Sequence, residues 1–394
     1  MTSSPPKKQP APLRVVATNV GGASAWTDES DTNKQNLSNL ITLLNRPHVI
    51  VLTETKYTVR DDLPQRNENN CYLELERKSA AEQLGYACIH HGPKHSQLVE
   101  RARVAQISNS NGDNRIQREI FDERNANEHA LRYAHGGVSV LVRNDVKFEE
   151  IRRDIEGYEI TVKLALYEKE TFIVHAVYGM TGSERRDQWK RLYKRTKKQS
   201  EDNTTDSPDL IIGDTNCALE RYDRVKIVDE DVRVSKSSAR RKEEKYYRRI
   251  VDQLPLVDAW LETHRKCERE FTRERTYMKK KTNKQVIERS RIDNALIKQE
   301  RIHDVRSCEI HKENQFSSDH FPLLLTLNSP CVLEQNDETN DDQLPARPKR
   351  EKIDVRKLKQ ERGGITNTEH YKRTVEEHAA KHAVDIAAQQ GPLR

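Results

Sequence analysis

Apolar residues are scarce in this sequence. Hydrophobic side chains make up 34% of its 394 residues, and charged ones match them at 34%. An ordinary globular domain holds roughly 45–50% apolar residues. A chain this polar is not packed core throughout, so part of it is expected as tail or solvated insertion. Long apolar runs are missing as well. Val49-Ile50-Val51-Leu52 is typical of those present, far short of the roughly 18 residues a membrane-crossing helix needs. Residues 1–12 carry proline and lysine but no apolar stretch, which argues against a secretory signal. Six cysteines stand at 71, 88, 217, 267, 308 and 331, with no CxxC pair and no zinc-finger spacing to histidine. They read as reduced thiols. The expected location is therefore nuclear or cytoplasmic, not secreted and without membrane association.

Charge of one sign hardly dominates. The net value is +6, from 69 basic and 63 acidic residues. Its distribution says more. The stretch 273–291 holds eight basic and two acidic residues, and 236–249 holds seven and two. Tyr246, Tyr247 and Tyr277 lie inside them. Such stretches suit a phosphate backbone, because binding releases condensed counterions. Arg291 and the run Lys279, Lys280 and Lys281 are the candidate substrate contacts. From composition alone, the plainer reading is a solvated helix face.

Short β-rich runs recur at 13–19, 48–54, 138–143, 159–167, 171–178, 210–213, 292–297 and 322–327. Helix signals fall between several of them. Asp31 is placed to cap a helix through Leu44, with Leu37, Leu40, Ile41 and Leu44 on one face. Trp189, Leu192 and Tyr193 mark a second helix after Ser183, and a third is expected over 240–254. The polar stretches 94–135 and 223–245 read as insertions. The expected organisation is a tail over 1–12, one domain over 13–328, and a charged, partly helical linker or tail over 329–394.

Several runs end on residues suited to phosphate or metal chemistry: Asn19, Glu54, Tyr178, then Gly213-Asp214-Thr215-Asn216. Arg291-Ile292-Asp293-Asn294 opens another run, and Ser318-Asp319-His320 precedes the last. In layered α/β folds, sites gather where strand-end loops converge. A hard divalent cation wants oxygen ligands. Glu54 and Asp319 are the best candidates, with Asn19 as ligand or support. Asp214 is suited to activate a water, and Asn216 shares its side if the chain stays extended. His320, Asn216 and Tyr178 are donors for a phosphate gaining charge. Asp293 is suited to orient His320. Each residue alone has an ordinary alternative: a turn for Asp214-Thr215-Asn216, an N-cap for Asp319, packing for Tyr178. His175 lies three residues before Tyr178, so it faces the other way and reads as structural.

In this order, Thr18-Asn19-Val20-Gly21-Gly22, Leu52-Thr53-Glu54-Thr55, Tyr178, Gly213-Asp214-Thr215-Asn216, Ser290-Arg291-Ile292-Asp293 and Ser318-Asp319-His320 resemble the endonuclease/exonuclease/phosphatase superfamily. The likeness covers about residues 13–328. Gly136-Gly137-Val138, Leu256-Val257-Asp258-Ala259-Trp260 and Phe271-Thr272 most resemble the apurinic-type endonuclease domain of non-LTR retrotransposons. This resemblance implies a four-layer α/β sandwich, with two central, mostly antiparallel sheets flanked by helices. It implies a DNA endonuclease that depends on Mg2+ (or Mn2+) and nicks one strand to leave a 3′-hydroxyl. By the same resemblance Asp214, Asn216, His320, Asp293 and Tyr178 are catalytic, and Glu54, Asn19 and Asp319 lie at the metal. The implied partners are DNA and a reverse-transcriptase region outside this chain, since no Tyr/Phe-x-Asp-Asp signature occurs in it. Two departures stand out. Gly21 replaces an acid that repair members carry, which argues against dedicated abasic-site repair. Gly179-Met180-Thr181-Gly182 replaces the usual proline and asparagine after the tyrosine. The alternatives are a phosphatase or phosphoinositide phosphodiesterase of the same superfamily, and an inactive nucleic-acid-binding relic. Arg347-Pro348-Lys349-Arg350 is a short basic signal of the nuclear type.

Overall fold

The protein is seen as a computed structural model. It describes residues 12–21, 31–55, 80–94, 96–97, 136–154, 156–166, 170–181, 184–202, 207–228, 231–234, 244–264, 270–279, 282–313, 316 and 318–330. All of these belong to one compact unit, Met1–Gln335. Most of the expected tails, nearly all of the insertion over 94–135, Lys280, Lys281 and the basic signal at 347–350 lie outside the described residues.

Two six-stranded sheets form the centre. The first runs β15-β16-β1-β2-β4-β3, built from β1 (Pro12–Asn19), β2 (Val49–Thr53), β3 (Tyr86–His91), β4 (Val138–Arg143), β15 (Val305–Ile310) and β16 (Leu323–Pro330). The second runs β11-β14-β8-β7-β6-β5. Its strands are β5 (Phe148–Arg153), β6 (Glu159–Ala165), β7 (Thr171–Val177), β8 (Leu210–Asp214), β11 (Leu256–Asp258) and β14 (Asp293–Lys298). Each sheet has one parallel pair, β1 with β2 and β7 with β8; its other pairs are antiparallel.

Alternation along the strands explains the layering. Val15, Ala17, Val49, Val51 and Val140 of the first sheet meet Val162, Val174, Ala176, Ile212 and Ala295 of the second in one buried core. The opposite face of the first sheet buries Val16, Ile50 and Leu52 against Leu37, Leu40 and Leu44. Leu37 and Leu40 lie on α1 (Asp31–Leu43), and Leu44 just follows it. The outer face of the second sheet buries Ile211 and Leu296 against Trp189 and Leu192 of α2 (Glu184–Glu201), and against Tyr247 and Ile250 of α3 (Lys245–Gln253). The result is the expected four-layer α/β sandwich. A short helix, α4 (Ala259–Thr263), adds Trp260 to the inner core.

A third sheet departs from the sequence reading. Its order is β10-β9-β13-β12, from β9 (Arg224–Val228), β10 (Asp231–Val234), β12 (Arg273–Lys279) and β13 (Lys284–Ser290). The stretch 223–245 was expected as a solvated insertion, yet it supplies two of these strands. The basic stretch from 273 was read as a helix face, and it is a hairpin. Cys88, Cys217 and Cys308 form no disulfide among the described residues, and the other three cysteines lie outside them. No helix among the described residues is long and apolar enough to cross a membrane.

Candidate active site

The site lies where the two parallel pairs end. Asn19 closes β1, Glu54 follows β2, Tyr178 follows β7 and Asp214 closes β8. Antiparallel neighbours add the rest. Asp293 opens β14 and pairs directly with Asp214, while His320 stands just before β16. Strands of both sheets therefore deliver polar groups to one seam.

Asn19 is buried, and its Nδ2 donates to Glu54 Oε2 and to Asp214 Oδ2, both at 2.9 Å. Its Oδ1 accepts from Gly21 N–H at 2.9 Å. It therefore faces the two carboxylates with its donor and orients them. This differs from direct ligation through its carbonyl. His320 Nδ1 lies 2.8 Å from Asp293 Oδ2, and its Nε2 lies 3.9 Å from Asp214 Oδ2. Asp214, Asp293 and His320 offer ligand atoms within 4.8 Å of one another, all buried. Among the described residues, Asp293 Oδ1 has no hydrogen-bond partner.

Electrostatics follow from burying like charges side by side. Burial, reinforced by the neighbouring Asp293 charge, pushes the Asp214 carboxyl up to about 7. For His320, burial disfavours the cation. Asp293 and Asp214 outweigh that and lift it to about 9. Burial, then the charges of Glu54 and Asp214, hold the Tyr178 hydroxyl well above its usual range, so it is a neutral donor.

Asn216 corrects a geometric expectation. The chain does not stay extended after Asp214. Asn216 sits at φ 51°, its N–H donates to Asp214 Oδ1 at 2.9 Å, and its Nδ2 donates to Gly179 O at 2.7 Å. The turn brings its amide beside Asp214 by a different route. Two glycines make this possible. A Cβ on Gly179 would collide with the Thr215 carbonyl, and one on Gly213, at φ 142°, with that of Val177.

Arg291 is a second correction. It was expected to contact substrate, yet only 1% of it is exposed. Its Nη1 donates to Asp258 Oδ2 at 2.6 Å and to Asn294 Oδ1 at 3.1 Å, and its Nη2 to Asp223 Oδ2 at 3.0 Å. Trp260 stacks beneath it, 4.9 Å from its guanidinium carbon. So buried, it offers a ligand no surface. Asp319 is also engaged, accepting from Arg273 Nε at 2.8 Å, with its other oxygen 3.8 Å from His320 Nε2. Lys279 is exposed at the end of β12.

Sequence reasoning missed the supports. Thr272 Oγ1 accepts from both Ile292 N–H and Asp293 N–H at 3.0 Å, fixing Asp293. Asn294 Nδ2 donates to Thr215 Oγ1 at 2.7 Å, fixing the turn after Asp214. Gln188 accepts from Met180 N–H and donates to Tyr178 O, fixing the tyrosine segment. Thr272, Thr215 and Asn294 stand inside the motifs quoted above, but nothing in the sequence gives them these roles. His175 lies apart, 2.8 Å from Thr161 Oγ1 and 3.5 Å from Glu159. Burial opposes ionisation of Glu159, but His175 and Arg195 hold its carboxyl down to about 2.

The Glu54 carboxylate, tied through Asn19 to Asp214, supplies oxygen donors that fit a hard divalent cation. The family model described as Endonuclease/Exonuclease/phosphatase matches residues 16–320. Among solved structures, the AP endonuclease LMAP from Leishmania major is similar at 14% identity, covering 80% of this chain and 88% of that one, with a TM-score of 0.52. The APE2 catalytic domain from Xenopus laevis aligns at 16% identity over 82% and 94%, with a TM-score of 0.49. The endonuclease domain of TRAS1, a telomere-specific non-LTR retrotransposon, aligns at 9% over 80% and 98%, with a TM-score of 0.41. At such identities a likeness speaks for fold alone, and the last two carry no argument. No curated protein sequence matches the chain.

Proposed function

The chain belongs to the Endonuclease/Exonuclease/phosphatase family, and from that membership we propose that it is a metal-dependent phosphodiesterase, a DNA endonuclease that nicks one strand and leaves a 3′-hydroxyl. The observation that carries this reading is the seam itself. There Asn19 ties Glu54 to Asp214, and Asp293 holds His320 with its Nε2 3.9 Å from Asp214. The catalytic domain is proposed as 13–328, with 329–394 as linker or tail.

Glu54 would hold the cation, Mg2+ or Mn2+, with Asn19 aligning that carboxylate beside Asp214. When bound, it would supply positive charge to the phosphate. Asp214, raised to about 7, accepts a proton from the attacking water near neutral pH. His320, raised to about 9, stays protonated and donates to the phosphate as negative charge builds. Asp293 accepts from its other nitrogen and fixes the ring. Asn216 and the neutral Tyr178 hydroxyl add donors.

The third sheet supports a nucleic-acid substrate over a small phosphate ester. Its register puts Arg224, Lys226, Arg233, Arg273, Arg275, Lys279 and Lys284 on one face, with Glu288 and Asp231 as the acids. That face begins beside the site, since Arg273 bridges His320 and Arg224 donates to Asn216 O at 2.9 Å. A polyanion would release counterions there. The non-LTR retrotransposon reading rests on the motif order in the sequence, with a reverse-transcriptase region outside this chain as partner.

The test is incubation of supercoiled plasmid with the protein and Mg2+, beside Asp214→Ala and His320→Ala. Nicked circles from the native protein alone are expected, with ends that a polymerase extends directly. Inert plasmid with cleavage of a phosphoinositide panel would replace this reading with the phosphatase one. Inert substrates with salt-sensitive DNA retention would leave a binding protein.

A further inference from the structure

Arg273 opens β12 and forms a backbone bridge with His320. Two hydrogen bonds lock that junction: Glu274 N–H donates to Asp319 O at 2.9 Å, and Phe321 N–H to Thr272 O at 2.6 Å. The Arg273 side chain is 31% exposed, and its Nε is held by Asp319 Oδ2 at 2.8 Å. A guanidinium carries five N–H donors in a planar fork. Here one edge is anchored, and among the described residues no hydrogen bond or ion pair occupies the two Nη groups. A cationic fork is thus fixed at the mouth of the site and open to a ligand.

The position selects which phosphate it meets. The Asp319 carboxylate stands between the guanidinium and the imidazole, with one oxygen toward each. A phosphate seated against His320 has that carboxylate between it and Arg273. The next phosphate along a strand does not. By pairing with Asp319, Arg273 also offsets a negative charge that would repel a polyanion. We propose that Arg273 forms a second phosphate subsite, taking the phosphate adjacent to the scissile one. The protein then favours internal linkages of a polynucleotide over a terminal phosphate monoester. This rests on the phosphodiesterase reading above and deepens it.

The test uses one duplex oligonucleotide containing a mapped cleavage position. A single neutral methylphosphonate linkage is placed one position to either side. For the native protein, neutralising one of the two sides raises KM about tenfold with kcat nearly unchanged, equivalent to about 1.4 kcal/mol. Arg273→Ala raises KM about tenfold on the all-phosphate duplex and no longer senses the neutral linkage. Arg273→Lys recovers part of the KM loss. If Arg273 only holds Asp319 in place, Arg273→Ala lowers kcat and stays as sensitive to the neutral linkage as the native protein; that result overturns the subsite. If the native protein cleaves no phosphodiester, the functional reading fails separately. Retention of the charged and neutral oligonucleotides then decides the subsite, and equal retention by native protein and Arg273→Ala overturns it.

Discussion

The two central sheets repeat one layout, a parallel pair among antiparallel neighbours, yet they furnish the site unequally. The first gives Asn19, Glu54 and His320; the second gives Tyr178, Asp214, Asn216 and Asp293. The second set is braced by the core. Thr272 fixes Asp293, Asn294 fixes Thr215, and Arg291 ties Asn294 to Asp258. In the first set Glu54 is half-buried at φ 54°, and Gly21, whose N–H donates to Asn19, is exposed. Across the seam Asn19 meets Asp214, and His320 meets Asp293 and Asp214. The difference teaches that the second sheet holds its polar groups firmly from the core, while the first leaves Glu54 on the solvent-facing, entry side.

The largest test of that division is Asp214→Asn. It should lower kcat/KM about 10³-fold, as loss of a general base does, while DNA retention in a filter assay stays near native. Arg291→Ala comes next. Breaking a buried ion pair costs about 3–5 kcal/mol, so urea unfolding should show a loss of that order. A raised KM with native stability would restore Arg291 to the substrate contacts and erase the asymmetry.

His320→Ala should cost about 10²-fold in kcat, and the His320–Asp293 contact predicts a pH signature. In metal-free protein, the His320 imidazole should titrate by NMR near 9, and Asp293→Asn should return it toward 6.5. Because the folded value lies above 6.5, the contact stabilises the fold fully below that pH and is lost as pH rises through about 9. With the cation bound, cleavage should rise with pH as Asp214 loses its proton and fall at higher pH as His320 loses its own. The smallest change distinguishes the entry side: Glu54→Gln should raise the Mg2+ concentration for half-maximal cleavage about tenfold and leave DNA retention alone. Equal loss of both would remove Glu54 from the metal.

Much of this sandwich can be read in the sequence, because its strands are short buried runs such as Val49–Thr53 that end on polar residues. Motif order likewise marks Asn19, Glu54, Asp214, Asp293 and His320, which converge on one seam. The third sheet could not be read so. Arg273–Lys279 alternates charges on a half-solvated surface and lacks the apolar period that signals a strand. The fate of Arg291 was hidden for another reason. Its partners Asp223 and Asp258 stand 68 and 33 positions away, and only packing brings them together. The placement of Asn216 failed on one dihedral angle, which residue spacing does not encode.

Glu54 and Asn216 both hold the left-handed backbone, at φ 54° and 51°, a conformation that costs an ordinary residue about 1–3 kcal/mol. Glycine at either position would relax that strain while deleting a functional side chain. Selection for heat resistance alone would therefore push against the very groups proposed for cation and phosphate. A thermostabilised library of this protein would become enriched in well-folded, inert molecules unless catalysis were screened alongside.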